Sequence, residues 1–180
     1  MSFVNADLSM HYYSELQVLL FILPKVGVAL LVGTLVGIER EYRGKLAGIK
    51  TNSLICAASA LFTAVSLLMS QYGSPNASTG NDVTRIVAQI VSGIGFVGAG
   101  AIFKSASKVQ GLTTAAVIWF VSALGIMIGF GLFLSSILIT VATVIFLSIV
   151  SVAEKRFFRV HGGIIGHSHH VPVSQPSDKS

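Results

Sequence analysis

The stretch IVAQIVSGIGFVGAGAIF, residues 86–103, carries no charged side chain. A helix needs about 20 predominantly apolar residues to cross the hydrocarbon core of a bilayer. The stretch also contains Gly93-x-Gly95-x-x-Gly98, which has the spelling of a dinucleotide-binding fingerprint. That fingerprint requires a turn between a strand and a helix of a soluble sheet, whereas these glycines lie within a continuous apolar run. We therefore interpret the stretch as a membrane span and the fingerprint as accidental.

The whole chain has the composition of an integral membrane protein. It is 53% hydrophobic and 11% charged, where soluble domains carry about 25% charged residues. Five continuous apolar runs predict an all-α, polytopic bundle of five transmembrane helices. They cover residues 16–38, 51–70, 86–103, 112–130 and 132–153. A β-barrel is excluded because membrane strands alternate between apolar and polar residues. We expect a short segment (1–15) before the transmembrane domain (16–153) and a disordered, histidine-containing tail (154–180) after it.

The basic residues indicate an orientation. Ten of the twelve lie in the first and third connections and after the fifth span: Arg40, Arg43, Lys45, Lys50, Lys104, Lys108, Lys155, Arg156, Arg159 and Lys179. Because basic loops stay in the cytoplasm, we predict an outward N-terminus and a cytoplasmic C-terminus. These residues form no single patch with interleaved aromatics, so we expect no nucleic-acid partner.

Glycines inside the spans predict close contacts between helices, since small residues let backbones approach. The candidate packing residues are Gly33, Gly37, Gly93, Gly95, Gly98 and Gly100. At 100° per residue, Gly93 and Gly100 share one face of the third span, and Gly95 and Gly98 lie nearly opposite. We therefore expect neighbours on two sides of the third helix and a central place for it in the bundle.

The same helix carries a stripe at spacings of four, three, four and four. Its members are Arg85, Gln89, Ser92, Phe96 and Gly100. One interpretation is a hydrogen-bonded seam between helices, with Arg85 at the headgroups. The other is a polar vestibule or partner site, because polar residues within a membrane are often functional.

Charged residues near the ends of the first span allow several interpretations. Glu39-Arg40-Glu41 could be a solvated helix end, a pair of carboxylates for hydrated Mg²⁺ or a docking point for a partner. At the other end, Lys25 is costly within a span unless it snorkels or faces a protein interior. We favour the alternative that Pro24 separates an interfacial helix from the spanning one. No acidic residue lies within a span, which argues against a cation path.

Chemical sites are few. The tail histidines His161, His167, His169 and His170 are dense enough to bind a transition metal, but no cysteine supports a structural zinc site. No constellation of catalytic side chains is present, so we expect no enzymatic activity and no catalytic cofactor.

Four strings resemble the MgtC/SapB family of bacterial inner-membrane proteins. They are GTLVGIERE (33–41), AGIKT (47–51), RIVAQIVSGIGFVGAGAIF (85–103) and VQGLTTAAVIW (109–119). The resemblance covers residues 16–153 and implies a five-helix, multi-pass protein with an outward N-terminus. As functional or partner candidates it implies Glu39, Arg40, Glu41, Arg85, Gln89, Ser92, Phe96, Thr113, Thr114 and Trp119.

The resemblance also implies a function. Members act in adaptation to low magnesium, acid or life inside host cells. They are viewed as regulators that contact other membrane proteins, including the F-type ATP synthase or a cation transporter. The alternative is a small permease for Mg²⁺ or another cation, and a homo-oligomer is compatible with either.

The chain departs from the family pattern in a few places. Asp82-Val83 replaces a usual Asp-Pro, and Lys50 and Gln110 stand where arginine is common. Longer members add a soluble regulatory domain, for which the residues after Ala153 are too few. We therefore expect this chain to lack the functions of that domain.

Overall fold

The computed structural model describes residues 15–72, 79–105 and 108–161. These form five helices: α1 (Glu15–Tyr42), α2 (Ile49–Tyr72), α3 (Thr79–Gly100), α4 (Leu112–Gly129) and α5 (Phe133–His161). Each is long and apolar enough to cross a membrane, which confirms the predicted all-α bundle of five spans. The N-terminal segment up to residue 14 and the tail beyond His161, with three of its histidines, lie outside the described residues.

The chain divides into two units, residues 1–144 and 145–180. The first contains α1 to α4 and the beginning of α5. The described part of the second is the remainder of α5, which continues as helix beyond Ala153 to His161.

Helices α2 and α4 together form the centre of the first unit, because they pack against each other and each also packs against α1 and α3. The expectation that α3 is central is therefore wrong for the single chain. Only 11% of the α3 span is buried, compared with 50% of the α2 span. The core of α2 is built from small side chains such as Cys56, Ala60 and Ala64, all fully buried. Small side chains let three helices approach α2, whereas glycine alone does not ensure that a neighbour is present.

Glycines of α1 and α4, rather than those of α3, form the close contacts with α2. A Cβ atom on Gly33 would lie 2.5 Å from the carbonyl oxygen of Asn52, and one on Gly37 would lie 2.5 Å from the Cα of Ile49. On α4, Gly125 faces the backbone of Cys56, and a Cβ on Gly129 would meet the side chain of Thr63 and the carbonyl oxygen of Ala60. The predicted importance of the Gly33-x-x-x-Gly37 spacing agrees with this geometry.

The glycines of α3 are less crowded. Gly98 contacts Ala115 of α4 at ordinary van der Waals distance, with a Cβ position 3.7 Å from the alanine methyl group. Gly93, Gly95 and Gly100 have no atom of the described chain within 4 Å of the position a Cβ would take. Their role in packing against another helix stays a prediction.

Hydroxyl pairs join the same helices that the glycines bring together. Thr34 of α1 and Ser53 of α2 are hydrogen bonded at 2.9 Å between their oxygens. Ser59 of α2 and Ser122 of α4 form an equivalent buried pair at 2.9 Å. Such interhelical hydrogen bonds stabilise a bundle in lipid, where hydrophobic burial contributes little to helix association.

Helix α1 is continuous through Pro24, so the expected division into an interfacial and a spanning helix is wrong. Proline in a membrane helix is tolerated when neighbouring groups compensate for its missing N–H.

Lys25 is 7% exposed, and its Nζ donates a hydrogen bond of 2.9 Å to the carbonyl oxygen of Gly129. The ammonium also lies 3.5 Å from the ring centroid of Phe21. Lys25 thus binds the carboxyl end of α4, where the helix dipole favours a cation.

Two short connections orient α4. Strands β1 (Phe103–Ser105) and β2 (Lys108–Gln110) pair antiparallel between α3 and α4, in a segment for which the sequence predicts only a loop. Gly111 then precedes α4 with φ of 89°, a conformation that favours glycine. A Cβ there would collide with the carbonyl oxygen of Ala101. At the other end, Gly131 (φ 87°) turns the chain into α5.

Candidate functional site

The carboxyl end of α1 holds a buried polar cluster, which we call the Arg40 cluster. It consists of Glu39 and Arg40 of α1, Arg43 in the turn after α1 and Thr114 of α4, and Asn52 of α2 binds the loop that follows this turn. Arg40 is 2% exposed and Asn52 is fully buried. Polar side chains are costly to bury unless they are hydrogen bonded, so their contacts determine what the cluster can do.

Arg40 links α1 to the first turn of α4. Its Nη2 donates a hydrogen bond of 3.0 Å to Oγ1 of Thr114, which is itself buried. The two residues are 74 positions apart in the sequence. The contact closes the α1–α2–α4 core at the end opposite to the Lys25–Gly129 contact.

Glu39 neutralises part of this positive charge. Its Oε1 accepts a charge-assisted hydrogen bond from Nε of Arg43, one helical turn away. Three buried atoms of the cluster and Asn52 have no hydrogen-bond partner among the described residues: Oε2 of Glu39, Nε of Arg40 and Oδ1 of Asn52. The cluster therefore has unsatisfied donor and acceptor groups that a buried water can bridge.

Glu41 and Asn52 shape the connection between α1 and α2. Oε2 of Glu41 accepts a hydrogen bond of 3.0 Å from the backbone N–H of Ile49, the first residue of α2. A carboxylate at a helix N-terminus is favoured by the unpaired N–H groups and the helix dipole. Asn52 donates through Nδ2 to the carbonyl oxygens of Ala47 (2.9 Å) and Gly48 (2.8 Å). The string AGIKT thus comprises the end of a fixed loop, Ala47 and Gly48, and the first three residues of α2.

The neighbouring carboxylates of Glu39 and Glu41 are committed to different partners, an arginine and a helix N-terminus. Within the described residues, no group of three or more histidine, cysteine or acidic side chains is placed to hold a metal ion. Association of Mg²⁺ with these carboxylates stays a prediction. The side chain of His161 and the histidines beyond it lie outside what the structure describes.

Thr114→Val tests the contact between α1 and α4. Valine keeps the shape of threonine but cannot accept the hydrogen bond from Arg40. Since hydrogen bonds to charged groups contribute about 1.5–3 kcal/mol, we expect the free energy of unfolding to fall by that amount. The measurement is SDS-induced unfolding of the purified protein in micelles. Thr113→Val is the matched control, because Thr113 is exposed, and equal losses for the two variants would contradict the assignment.

A groove between α2 and α3 contains the second set of predicted residues. Its apolar compartment has a volume of about 510 Å³, and its polar compartment has a volume of about 410 Å³. Phe62, Ile86 and Gln89 line both, so the two compartments are continuous. Arg85 and Gln89 meet Ser66 and Ser70 of α2 in the polar compartment. The structure therefore brings the first two members of the α3 stripe together with hydroxyl groups of α2.

The other members of the stripe point elsewhere. Ser92 is exposed, and Phe96 is 85% exposed. Together with Gly95 and Ala99 they form what we call the open face of α3, since all four are exposed. Of the remaining predicted residues, Thr113 and Trp119 are exposed on α4. The ten residues thus divide among the Arg40 cluster, the α2–α3 groove and exposed helix surfaces.

A family model matches the sequence of these spans. The model of the MgtC family matches residues 26–156. The chain belongs to the MgtC family. The match includes the Arg40 cluster, the groove and the open face of α3, and this family member is therefore an MgtC-type, multi-pass membrane protein.

Curated relatives agree with the family assignment. A protein named MgtC from Brucella abortus is 48% identical over 104 residues, which cover 58% of this chain and 40% of that protein. The protein named MgtC from Salmonella typhimurium is 42% identical over 113 residues, covering 63% of this chain and 45% of its own length. An uncharacterized protein of Synechocystis is 44% identical over 114 residues, with 63% and 45% covered. The matches thus span less than half the length of these relatives, and no solved structure matches the chain.

Several contributors to the sites were missed in the sequence. Arg43 lies four residues after Glu39, a spacing that indicates an ion pair on a helix. Gly125-x-x-x-Gly129 has the same small-residue spacing as the glycine pair of α1. Asn52 carries no such signal, because its partners depend on how the loop before α2 folds.

Proposed function

We propose that this MgtC family member is a non-enzymatic regulator or accessory factor that acts by contact with other proteins of the bacterial inner membrane. Its physiological setting would be adaptation to low magnesium, acid or intracellular stress. The observation that carries the proposal is the open face of α3. Phe96 is 85% exposed on it, and Gly95 has no atom of the described chain near its Cβ position.

Physical reasoning favours a protein rather than lipid against this face. Glycine costs a helix about 1 kcal/mol relative to alanine, and lipid tails gain nothing from its small size because they adapt to any side chain. A partner helix gains close backbone contact. An exposed phenylalanine beside a glycine forms a ridge next to a groove, and helices pack by fitting ridges into grooves.

The charged residues support a contact role over ion transport. Arg40, Glu39 and Glu41 are engaged within the chain. Arg85 is the one cationic residue among those that line the α2–α3 groove. Its positive charge would repel other cations at that end of the groove. A regulator that binds other membrane proteins needs neither a carboxylate path nor a catalytic site.

Photo-crosslinking tests the proposal in the membranes of the native host. A photoreactive phenylalanine analogue replaces Phe96, and the control carries it at Leu31 of α1, which is 67% exposed. We expect a covalent adduct with another membrane protein from position 96 but not from position 31. Gly95→Leu should lower the adduct yield at least about fivefold, because overpacking an interface costs about 1–3 kcal/mol.

Two results would overturn the proposal. Adducts that contain only copies of this chain would show that α3 mediates self-association rather than regulation of a partner. Mg²⁺ flux into liposomes that contain only the purified chain would favour the permease alternative instead.

A further inference from the structure

The α2–α3 groove combines an apolar and a polar compartment along one continuous path. The apolar compartment is lined mostly by aliphatic side chains, including Leu54, Ile90 and Val97. The one hydroxyl in its lining, that of Ser59, is engaged with Ser122 of α4. Both helices that form the groove are membrane spans. The apolar compartment is therefore surrounded by the hydrocarbon of the bilayer, which can occupy it.

The size of the groove favours an extended chain over a helix. A helix is about 10 Å across and rises 5.4 Å per turn, so three turns occupy roughly 1,300 Å³. The apolar compartment holds about 510 Å³. An acyl chain is the slender apolar molecule that a bilayer supplies in quantity. The Cβ position of Gly93, which lines the compartment, has no atom of the described chain within 4 Å, so a chain can lie directly along the α3 backbone.

The polar compartment determines what the other end of that molecule is. It brings a guanidinium (Arg85), an amide (Gln89) and two hydroxyls (Ser66 and Ser70) to one end of the groove. Arg85, Gln89 and Ser66 carry hydrogen-bond donors, whereas the Ser70 hydroxyl already donates to the carbonyl oxygen of Leu67. Arginine recognises phosphate through its planar fork. The guanidinium has five N–H donors, enough for a contact within the chain and for a phosphate as well. The positive charge matches an anionic headgroup.

We propose that the α2–α3 groove binds an anionic phospholipid. One acyl chain lies in the apolar compartment against Gly93, and the headgroup phosphate lies at Arg85 with Gln89, Ser66 and Ser70 around it. Basic pockets between transmembrane helices bind anionic headgroups by the same combination of charge and hydrocarbon contact. This site is distinct from the open face of α3 and does not depend on a protein partner.

Native mass spectrometry of the delipidated full chain in detergent tests the proposal. The probes are phosphatidylglycerol and phosphatidylcholine with identical acyl chains, and inorganic phosphate alone. We expect phosphatidylglycerol to bind roughly tenfold more tightly than phosphatidylcholine, because both carry a phosphate but the choline cation cancels the net charge and is repelled by the Arg85 guanidinium. Phosphate alone should not bind measurably. Arg85→Gln should abolish the preference, whereas Lys104→Gln, at an exposed lysine of β1, should retain it.

A second pair of variants tests the apolar compartment. Gly93→Leu places a side chain in the groove without a clash at the Cβ position. We expect it to weaken the binding of both phospholipids by roughly tenfold or more. Gly95→Leu makes the same change outside the groove lining and should leave phospholipid binding unchanged. Since Gly95→Leu is expected to reduce crosslinking to a partner, the two glycine variants separate failure of this proposal from failure of the proposed function.

Three outcomes would overturn the phospholipid site. Equal affinity for the two lipids would show that Arg85 does not select the headgroup. Unchanged lipid binding by folded Gly93→Leu protein would show that no acyl chain occupies the groove. Tight binding of inorganic phosphate would show that the polar compartment is an anion site without a lipid component.

Discussion

Replacing Gly33 with leucine is expected to unfold the bundle. A Cβ at this position would lie 2.5 Å from the carbonyl oxygen of Asn52 and 2.6 Å from the Cα of Ser53. Both atoms belong to the backbone of α2, so they cannot move aside as a flexible side chain could. Helix α1 would have to separate from α2, with loss of the Thr34–Ser53 hydrogen bond. We expect the free energy of unfolding to fall by more than about 4 kcal/mol, which few single substitutions reach.

The lone cysteine provides the measurement. Cys56 is fully buried on α2, so a maleimide should alkylate it slowly in the folded protein. In Gly33→Leu protein the rate should approach that of the chain denatured in SDS. Gly27→Leu is the matched control: it makes the same change on the same helix, where no atom of the described residues lies within 4 Å of the Cβ position. A protected Cys56 in Gly33→Leu protein, with an unchanged unfolding midpoint, would disprove the close α1–α2 contact.

Arg40→Met is expected to have the second largest effect. The substitution removes the donor to Thr114 and leaves the buried carboxylate of Glu39 with less compensating charge. Removing one member of a buried ionic group typically costs about 3–5 kcal/mol, because the remaining charge is poorly solvated. We expect a loss of this size in SDS-induced unfolding. Lys50→Met, at an exposed residue of the same basic connection, should change stability by less than about 0.5 kcal/mol.

A double substitution separates the contact from general damage. If Arg40 acts through Thr114, then Thr114→Val should cost little once Arg40 is methionine, because the hydrogen bond is already lost. Additive losses in the double variant would show that the two side chains stabilise the protein independently. They would also contradict the assignment of Arg40 as the link between α1 and α4.

The sequence predicted the spans well and their neighbours poorly. The length of an apolar run is a local property, so five helices could be recognised from residue order alone. The Gly33–Gly37 spacing was recognised for the same reason. The prediction that α3 is central failed because four glycines permit close packing without requiring it. In the chain, α2, with its alanines and Cys56, and α4 occupy the centre instead.

Lys25 shows the limits of local reasoning at a charged residue. Next to Pro24, its sequence context indicated a break in the helix and a position at the membrane surface. The helix is continuous through Pro24, and Lys25 donates a hydrogen bond to the carbonyl oxygen of Gly129 at the end of α4, 104 residues away. No local sequence pattern predicts that partner, because the C-terminal end of α4 reaches Lys25 only after the helices pack.

The residue order by itself determined a five-span membrane protein of the MgtC family, with a charged end on the first helix and a glycine-rich third helix. Hydropathy, helix length and motif spacing are properties of single segments, so they can be determined from the sequence without knowing the fold. Only the tertiary structure decided that Arg40 meets Thr114, that Arg85 and Gln89 share a groove with Ser66 and Ser70, and that Phe96 faces outward. Those facts depend on the relative rotation and depth of separate helices, which follow from close backbone contact of α1 and α4 with α2 and from the looser contact of α3 with α4 at Gly98 and Ala115.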